Sequence, residues 1–250
     1  MIKKLIIKFL EKKGYVNKWS LTNTKNLIDS IYIILFSLQK KNYKIIQVGA
    51  NDGFMSDPIY SFNKDYYNSI SYIGFEPQNI PLEKLKNTYK GYKNFHFVKG
   101  CVGEEGRKKF FYLNKKYEKL CIERNWKFND TLSSLVEENL AKRLVEKKLN
   151  PRDYIDNYEA DVLPLKTHIE KNNLLENFKE TDLLQIDAEG YDDKVIYNSS
   201  IEYFTPKFIN FEYKNLSKSN LKELIKFLKN HSYECIFWKK NDCLAVLKRN

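Results

Sequence analysis

Residues 44–53 read KIIQVGANDG, and the fold of the chain is decided there. Ile45, Ile46 and Val48 make a β-branched apolar run of the length of a buried parallel strand. The run breaks at once into a Gly-Ala-Asn-Asp-Gly turn. Gly49 lets the backbone turn sharply and pass close to a ligand, Asn51 and Asp52 tolerate turn or left-handed geometry, and Gly53 leaves the next segment unobstructed. A strand ending in such a turn is where open α/β sheets bind nucleotides. Alone, a G-x-x-x-G loop is a weak signal, since an ordinary strand-to-helix turn satisfies it as well.

Two further stretches narrow the reading. Residues 71–77, SYIGFEP, form a second apolar strand that delivers Glu76. It starts about 20 residues beyond the turn, the spacing at which an acidic residue accepts hydrogen bonds from ribose hydroxyls. Residues 182–190, DLLQIDAEG, read as a third buried strand carrying Asp187 and Glu189 at its carboxyl end.

The ordered set VGANDG, FEP, FVKGCVGEEG, SSL at 133–135, LLQIDAEGYD and FINFEY resembles the FkbM family of S-adenosylmethionine-dependent methyltransferases, over residues from about 44 to 248. The resemblance implies an α/β, Rossmann-like class I methyltransferase fold: a mostly parallel seven-stranded sheet with an antiparallel C-terminal hairpin strand. It further implies S-adenosylmethionine as cofactor and methyl transfer to a hydroxyl of a sugar or another small polar acceptor. On that reading Gln47, Gly49, Asn51, Asp52, Gly53, Glu76 and Pro77 face the cofactor, with the ribose on Glu76. Gly49→Val is expected to fold and fail to bind. Cys101 and Val102 are candidates for the adenine wall and serve equally well as ordinary core or turn residues. Two positions depart from the family pattern. Gln47 stands where an acidic residue is usual, which weakens contacts near the methionine amino group, and Leu165, Lys166 and Thr167 replace Leu-Asp-Asp at the rim of the site.

At 250 residues the chain suits one α/β domain with additions, and 42% hydrophobic with 15% aromatic residues exclude a disordered chain. The formal charge of +11 comes from 43 Lys and Arg against 32 Asp and Glu. The lysines are scattered among Glu and Asn as on solvated helix faces, so no nucleic-acid partner is expected. Cys101, Cys121, Cys235 and Cys243 form no C-x-x-C pair and have no His at metal spacing, which points to reduced thiols and a cytoplasmic protein. No apolar run approaches the ~20 residues of a membrane span.

Taken in order, residues 1–43 are expected as N-terminal helices covering the sheet, and 44–250 as the methyltransferase domain. Ile2, Leu5, Ile6, Phe9 and Leu10 share one face of a basic amphipathic helix, which packs on its own domain or, as a minor reading, lies on a membrane surface. Thr24 is placed as the N-cap of a second helix running to Lys41. Asp57 and Pro58 read as N-cap and first residue of a helix reaching about Lys64, which on the family resemblance sits at the cofactor's methionine end. Residues 117–156 have no counterpart in a minimal doubly wound sheet and are expected as a helical cap over the site, Asn129 and Ser133 among them. The chain closes with two strands joined by the polar turn at 239–242.

Methyl transfer to a hydroxyl needs positioning and a general base. Asp187, Glu189 and Glu212 are the candidate catalytic carboxylates, with helix capping and fold stabilisation as their plain alternative. Asp187 and Glu212 also match the way catechol-type methyltransferases hold magnesium, but the adjacent Asp-Asn pair of those enzymes is missing, so no metal is expected. His168 is the best placed of the three histidines as a base. The competing classes are a nicotinamide-dependent oxidoreductase, which needs a tighter G-x-G-x-x-G, and a nucleic-acid-binding or RNA-methylating protein, against which IDAEG stands where amino-methylating enzymes usually carry an Asn/Asp-Pro-Pro-Tyr motif.

Overall fold

The computed structural model describes residues 30–126, 133–237 and 241–248. The helix expected over 2–13, the Thr24 cap, Asn129, and Lys239 and Lys240 of the polar turn lie outside the described residues. Helix α1 (Ser30–Ser37) leads into β1 (Tyr43–Val48), α2 (Tyr60–Tyr66), β2 (Ile70–Phe75), α3 (Asn79–Thr88) and β3 (Phe95–Val98). An insertion follows: β4 (Cys101–Val102), β5 (Gly106–Leu113), α4 (Lys115–Glu123), β6 (Ser133–Ser134), α5 (Glu137–Glu146) and β7 (Ile155–Leu163). The chain then continues through α6 (Leu165–Lys171), α7 (Leu175–Phe178), β8 (Leu183–Ile186), α8 (Asp192–Tyr197), α9 (Ile201–Phe204), β9 (Phe208–Glu212), α10 (Lys218–Asn230), β10 (Tyr233–Phe237) and β11 (Asp242–Leu247).

The main sheet has seven strands in the order β10-β11-β9-β8-β1-β2-β3. Strand β11 runs antiparallel to both neighbours, and every other adjacent pair is parallel. The period-two alternation of each strand divides the interior into two cores. Tyr43, Ile45, Tyr72, Leu183 and Phe208 enter one, and Ile46, Val48, Ile73, Phe75, Leu184, Ile186 and Ile209 enter the other. Because β1 is central, Ile45 and Ile46 are both fully buried, one in each core. Truncating either to alanine should destabilise the fold by about 2–5 kcal/mol.

On the first face the apolar rows give way to polar ones toward the carboxyl ends. Gln47 pairs in register with Gln185, which pairs with Asn210, and all three are at most 3% exposed. Asn210 donates to Gln185 Oε1 at 3.0 Å, and the Tyr72 hydroxyl donates to Gln47 Oε1 at 2.7 Å. Gly74 makes room for that tyrosine: a Cβ there would lie 2.4 Å from the hydroxyl.

The insertion differs from a purely helical cap. Strand β7 pairs antiparallel along the whole of β5 and parallel with β4, while β6 pairs with the far end of β5, giving a second sheet of order β4-β7-β5-β6. Within β7 only Val162 is buried, so the segment has no alternating apolar signal for a strand. Helices α4 and α5 close a small core of Tyr117, Cys121 and Leu144, against which Trp126 packs. The expected helix at Asp57-Pro58 begins later, at Tyr60: Asp57 Oδ1 accepts from the Ile59 amide at 2.8 Å, so the aspartate turns the chain one residue before the helix. Among the described residues no helix is long and apolar enough to cross a membrane.

Candidate active site

Strand β1 lies between β2 and β8, so the strand order reverses at its carboxyl end and leaves a crevice there. Val48 is in register with both Phe75 and Ile186. Glu76 and Asp187 therefore leave the sheet at one level on either side of Gly49, about 10 Å apart by two strand spacings. Gly49 has φ +76°, and its amide and that of Ala50 both donate to the Phe75 carbonyl at 3.0 Å. A Cβ on Gly49 would sit 1.9 Å from the backbone oxygen of Asp187. The glycine is required by strand β8 itself, so Gly49→Val disrupts the junction and does not simply block a ligand, contrary to the sequence expectation.

Around the crevice lies a cleft of about 970 Å³, open mouth included. Gln47, Gly49, Asn51, Asp52, Glu76, Pro77, Cys101, Val102, Asp187 and Glu189 all reach its wall. Two expected residues do not. Gly53, at φ +66°, turns away beneath Leu85 and Tyr89, where a Cβ would come within 2.5 and 2.7 Å. Glu212 stands behind the wall. His168 is also absent from the cleft: its ring packs under Gly100, and Nε2 bonds the Cys101 carbonyl at 2.8 Å. Burial lowers its basicity, and its role is to hold the β4 turn.

The loop after β1 is fastened by carboxylates. Asp52 Oδ1 accepts from the amides of Phe54 and Met55 at 2.9 and 2.8 Å. Glu76 accepts from the Asn51 amide at 3.0 Å and the Gln78 amide at 2.9 Å, one to each oxygen. Burial nonetheless pushes its carboxyl up to about 7, against the opposing pull of those two amides. Asn51, at φ +51°, keeps its side-chain oxygen buried without a hydrogen-bond partner. The same wall carries Cys101, whose thiol is raised to about 12 by burial and then by Glu76.

On the other side of Gly49 the acids crowd. One oxygen each of Asp187, Glu189 and Glu212 lies within 4.8 Å of the other two. Asp187 is pushed well above the ordinary carboxylate range, first by its recess in the protein and then by Glu189, Asp192 and Glu212. Water reaches it through the open cleft, so the desolvation is partial and the like-charge crowding persists. Glu189 is raised by burial and drawn back by Arg143 and Lys214. Glu212 is raised by burial and Glu189. Asn215 bridges the last two, donating to Glu212 Oε2 at 2.8 Å and Glu189 Oε2 at 3.4 Å. Beneath them Asp192 is fully buried, raised to about 8 by burial, and accepts from the amides of Gly190 and Glu212.

The insertion spans the cleft through β6. Alternate residues of a strand point to opposite sides, and here Ser133 accepts from Gln78 Nε2 at 2.9 Å while Ser134 donates to the Glu189 carbonyl at 2.9 Å. Helix α5 adds Asn139 on the same carbonyl and Arg143 on the Glu189 carboxylate. The SSL signal marked this segment in the sequence. Asp57 and Pro58, expected toward the methionine end of the cofactor, also line the cleft, whereas nothing in the sequence indicated that Arg143 pairs with Glu189 or that Tyr191 lines the cleft.

Residues 47–235 match the methyltransferase FkbM domain, three quarters of the chain. The chain belongs to the FkbM methyltransferase family. The sheet is that of a Rossmann-like class I methyltransferase, and the cofactor is S-adenosylmethionine. The cleft fits that cofactor on its own evidence: Glu76 reaches the wall with one backbone amide on each oxygen, so each keeps a further acceptor site, and the Asn51 side-chain oxygen is buried without a partner. Among solved structures the FkbM-family chain is similar to a TehB-like S-adenosylmethionine-dependent methyltransferase from Corynebacterium glutamicum, at 8% identity and TM-score 0.42 over 99% of this chain and 98% of that one. It is also similar to a fibrillarin pre-rRNA processing protein from Methanococcus jannaschii, at 10% identity and TM-score 0.42 over 84% and 69%. An Aeropyrum pernix fibrillarin with natively bound S-adenosylmethionine gives 11% identity and TM-score 0.41 over 83% and 67%. Likenesses this remote carry nothing about the acceptor.

Proposed function

We propose that this FkbM-family protein methylates a hydroxyl oxygen of a sugar or another small polar acceptor, with Asp187 as the proton-accepting carboxylate. The observation that carries the reading is the crowding of Asp187, Glu189 and Glu212 within 4.8 Å beside the cleft. When bound, S-adenosylmethionine supplies the electrophilic methyl group. The protein has to hold an acceptor hydroxyl in line with that group and take its proton. Among the described residues Asp187 makes no side-chain hydrogen bond, whereas Glu189 is held by Arg143 and Glu212 by Asn215. Asp187 is thus the carboxylate left to meet a hydroxyl, and its neighbours keep its proton affinity high. Ser133 and Ser134 strap the insertion over the same cleft and limit its access to water.

An uncharged, hydroxyl-rich acceptor suits the cleft better than a nucleic acid does. Glu76, Asp52, Asp57, Asp187 and Glu189 make the wall acidic, which repels a phosphate backbone despite the basic surface of the chain. The four free cysteines suit a reducing, cytoplasmic setting. The three carboxylates also form a ligand set for a hard cation. Transfer of tritium from labelled S-adenosylmethionine to a panel of sugars and to RNA, with and without chelator, tests these readings together. Label in a sugar that survives chelation supports the proposal. Label confined to RNA overturns the acceptor class, and activity lost to chelator and restored by magnesium makes the cluster a metal site.

A further inference from the structure

We infer that Asp57 is the residue that receives the ammonium group of the cofactor's methionine tail, taking over a charge that position 47 does not supply. The inference rests on the adenosyl placement proposed above, with the ribose on Glu76 and the transferred methyl facing Asp187.

Gln47 is neutral, and its side chain is committed at both ends. Its Oε1 accepts from Tyr72 at 2.7 Å inside the core, in the space that Gly74 leaves open. This fixes the amide so that Nε2, a donor, points outward and meets Asp57 Oδ2 at 3.4 Å. A donor cannot receive an ammonium, which has only protons to give. The carboxylate beyond it can. Asp57 reaches the cleft wall beside Pro58, over the end of β1, in the part of the cleft that remains once Glu76 and Asp187 have taken the ribose and the methyl. Its other oxygen is held by the Ile59 amide at 2.8 Å, so the group is aimed by the backbone at the start of α2. Tyr72, Gln47 and Asp57 thereby form a relay that carries orientation from the core of β2 to the mouth of the cleft. The half-buried setting of Asp57 strengthens a charge-assisted hydrogen bond relative to one in open water.

The test is calorimetry with three compounds: S-adenosylhomocysteine, its deaminated analogue, which keeps the carboxylate and lacks the ammonium, and 5′-methylthioadenosine, which lacks the amino-acid tail. The native protein should bind S-adenosylhomocysteine about 10- to 100-fold more tightly than the deaminated analogue, the range of a hydrogen bond to a charged group. In Asp57→Asn, which keeps an acceptor for Ile59, that preference should collapse while 5′-methylthioadenosine binding is unchanged. Adding Gln47→Glu to Asp57→Asn should restore the preference. The inference is overturned if the native protein does not prefer the ammonium compound, if Asp57→Asn keeps the preference, or if Asp57→Asn weakens all three equally. Should 5′-methylthioadenosine fail to bind the native protein at all, the adenosyl placement itself is wrong, and that outcome is distinct from the others.

Discussion

Asp182 and Asp187 sit at the two ends of β8, five residues apart, and both use their backbone amide to continue the ladder with β1: Asp182 to Lys44 at 2.8 Å and Asp187 to Val48 at 3.0 Å. Their side chains have opposite fates. Asp182 is fully buried, with Lys40 at 2.7 Å, Lys207 at 2.9 Å and the Lys44 amide at 3.0 Å around it. Asp187 is open to the cleft and faces Glu189, Asp192 and Glu212. At the amino end of the strand the fold neutralises its acid. At the carboxyl end it gathers acids, an unfavourable arrangement for a folded protein and a useful one for proton transfer.

Four measurements break or sharpen that contrast. The largest effect is expected for Asp187→Asn, which should lower turnover about 10²- to 10⁴-fold, the usual cost of a positioned base. Thermal unfolding at neutral pH should show no loss of stability, since the raised carboxyl costs the fold once it ionises. Full turnover on the true acceptor would make the cluster structural.

Asp182→Ala should do the reverse. It strands two lysines at the amino end of the central strands and should destabilise the protein by about 3 kcal/mol, the lower end for a broken buried pair because both lysines stay partly exposed. Turnover per folded molecule, measured well below the unfolding temperature, should be retained. A catalytic defect in a stable Asp182→Ala protein would dissolve the distinction between the two ends.

Glu76→Ala should weaken cofactor binding by about 1.5–3 kcal/mol, the loss of hydrogen bonds to a charged group. Its pH dependence has two signs. The folded-state carboxyl titrates near 7 against an ordinary value of 4.5, so the ligand-free fold loses stability as pH rises through that window. Ribose hydroxyls donate to the ionised form, so cofactor affinity should weaken as pH falls below about 7. Calorimetry across that window, compared with Glu76→Gln, checks both signs, and a flat affinity profile would remove Glu76 from the ribose.

The smallest change is expected for Glu212→Gln. It leaves Asp187 in place and removes one of the charges that raise it, so the acid limb of the pH–rate profile should move to lower pH with modest loss of turnover. Because Asn215 also bonds Glu212, an unmoved limb with a large loss would point to a positioning role through Asn215 instead.

What the amino-acid order by itself determined is everything with a local period. The short apolar runs before VGANDG, FEP and IDAEG specify three parallel strands because alternate residues must enter two cores, and the turn after β1 needs glycine where φ is positive. With strand order inherited from the family resemblance, those ends place Glu76, Asp187 and Glu189 around one crevice. The tertiary structure alone decided which partner each acid meets. Arg143 lies 46 residues from Glu189, and Gln47 meets Asp57 through a rotamer set by Tyr72 on the neighbouring strand. It alone made β7 a strand, through pairing with β5, since a segment with one buried residue carries no period to read. It also gave Gly49 its reason: the nearest atom to a Cβ there is the Asp187 carbonyl, and such a close approach arises only when two strands distant in sequence lie side by side.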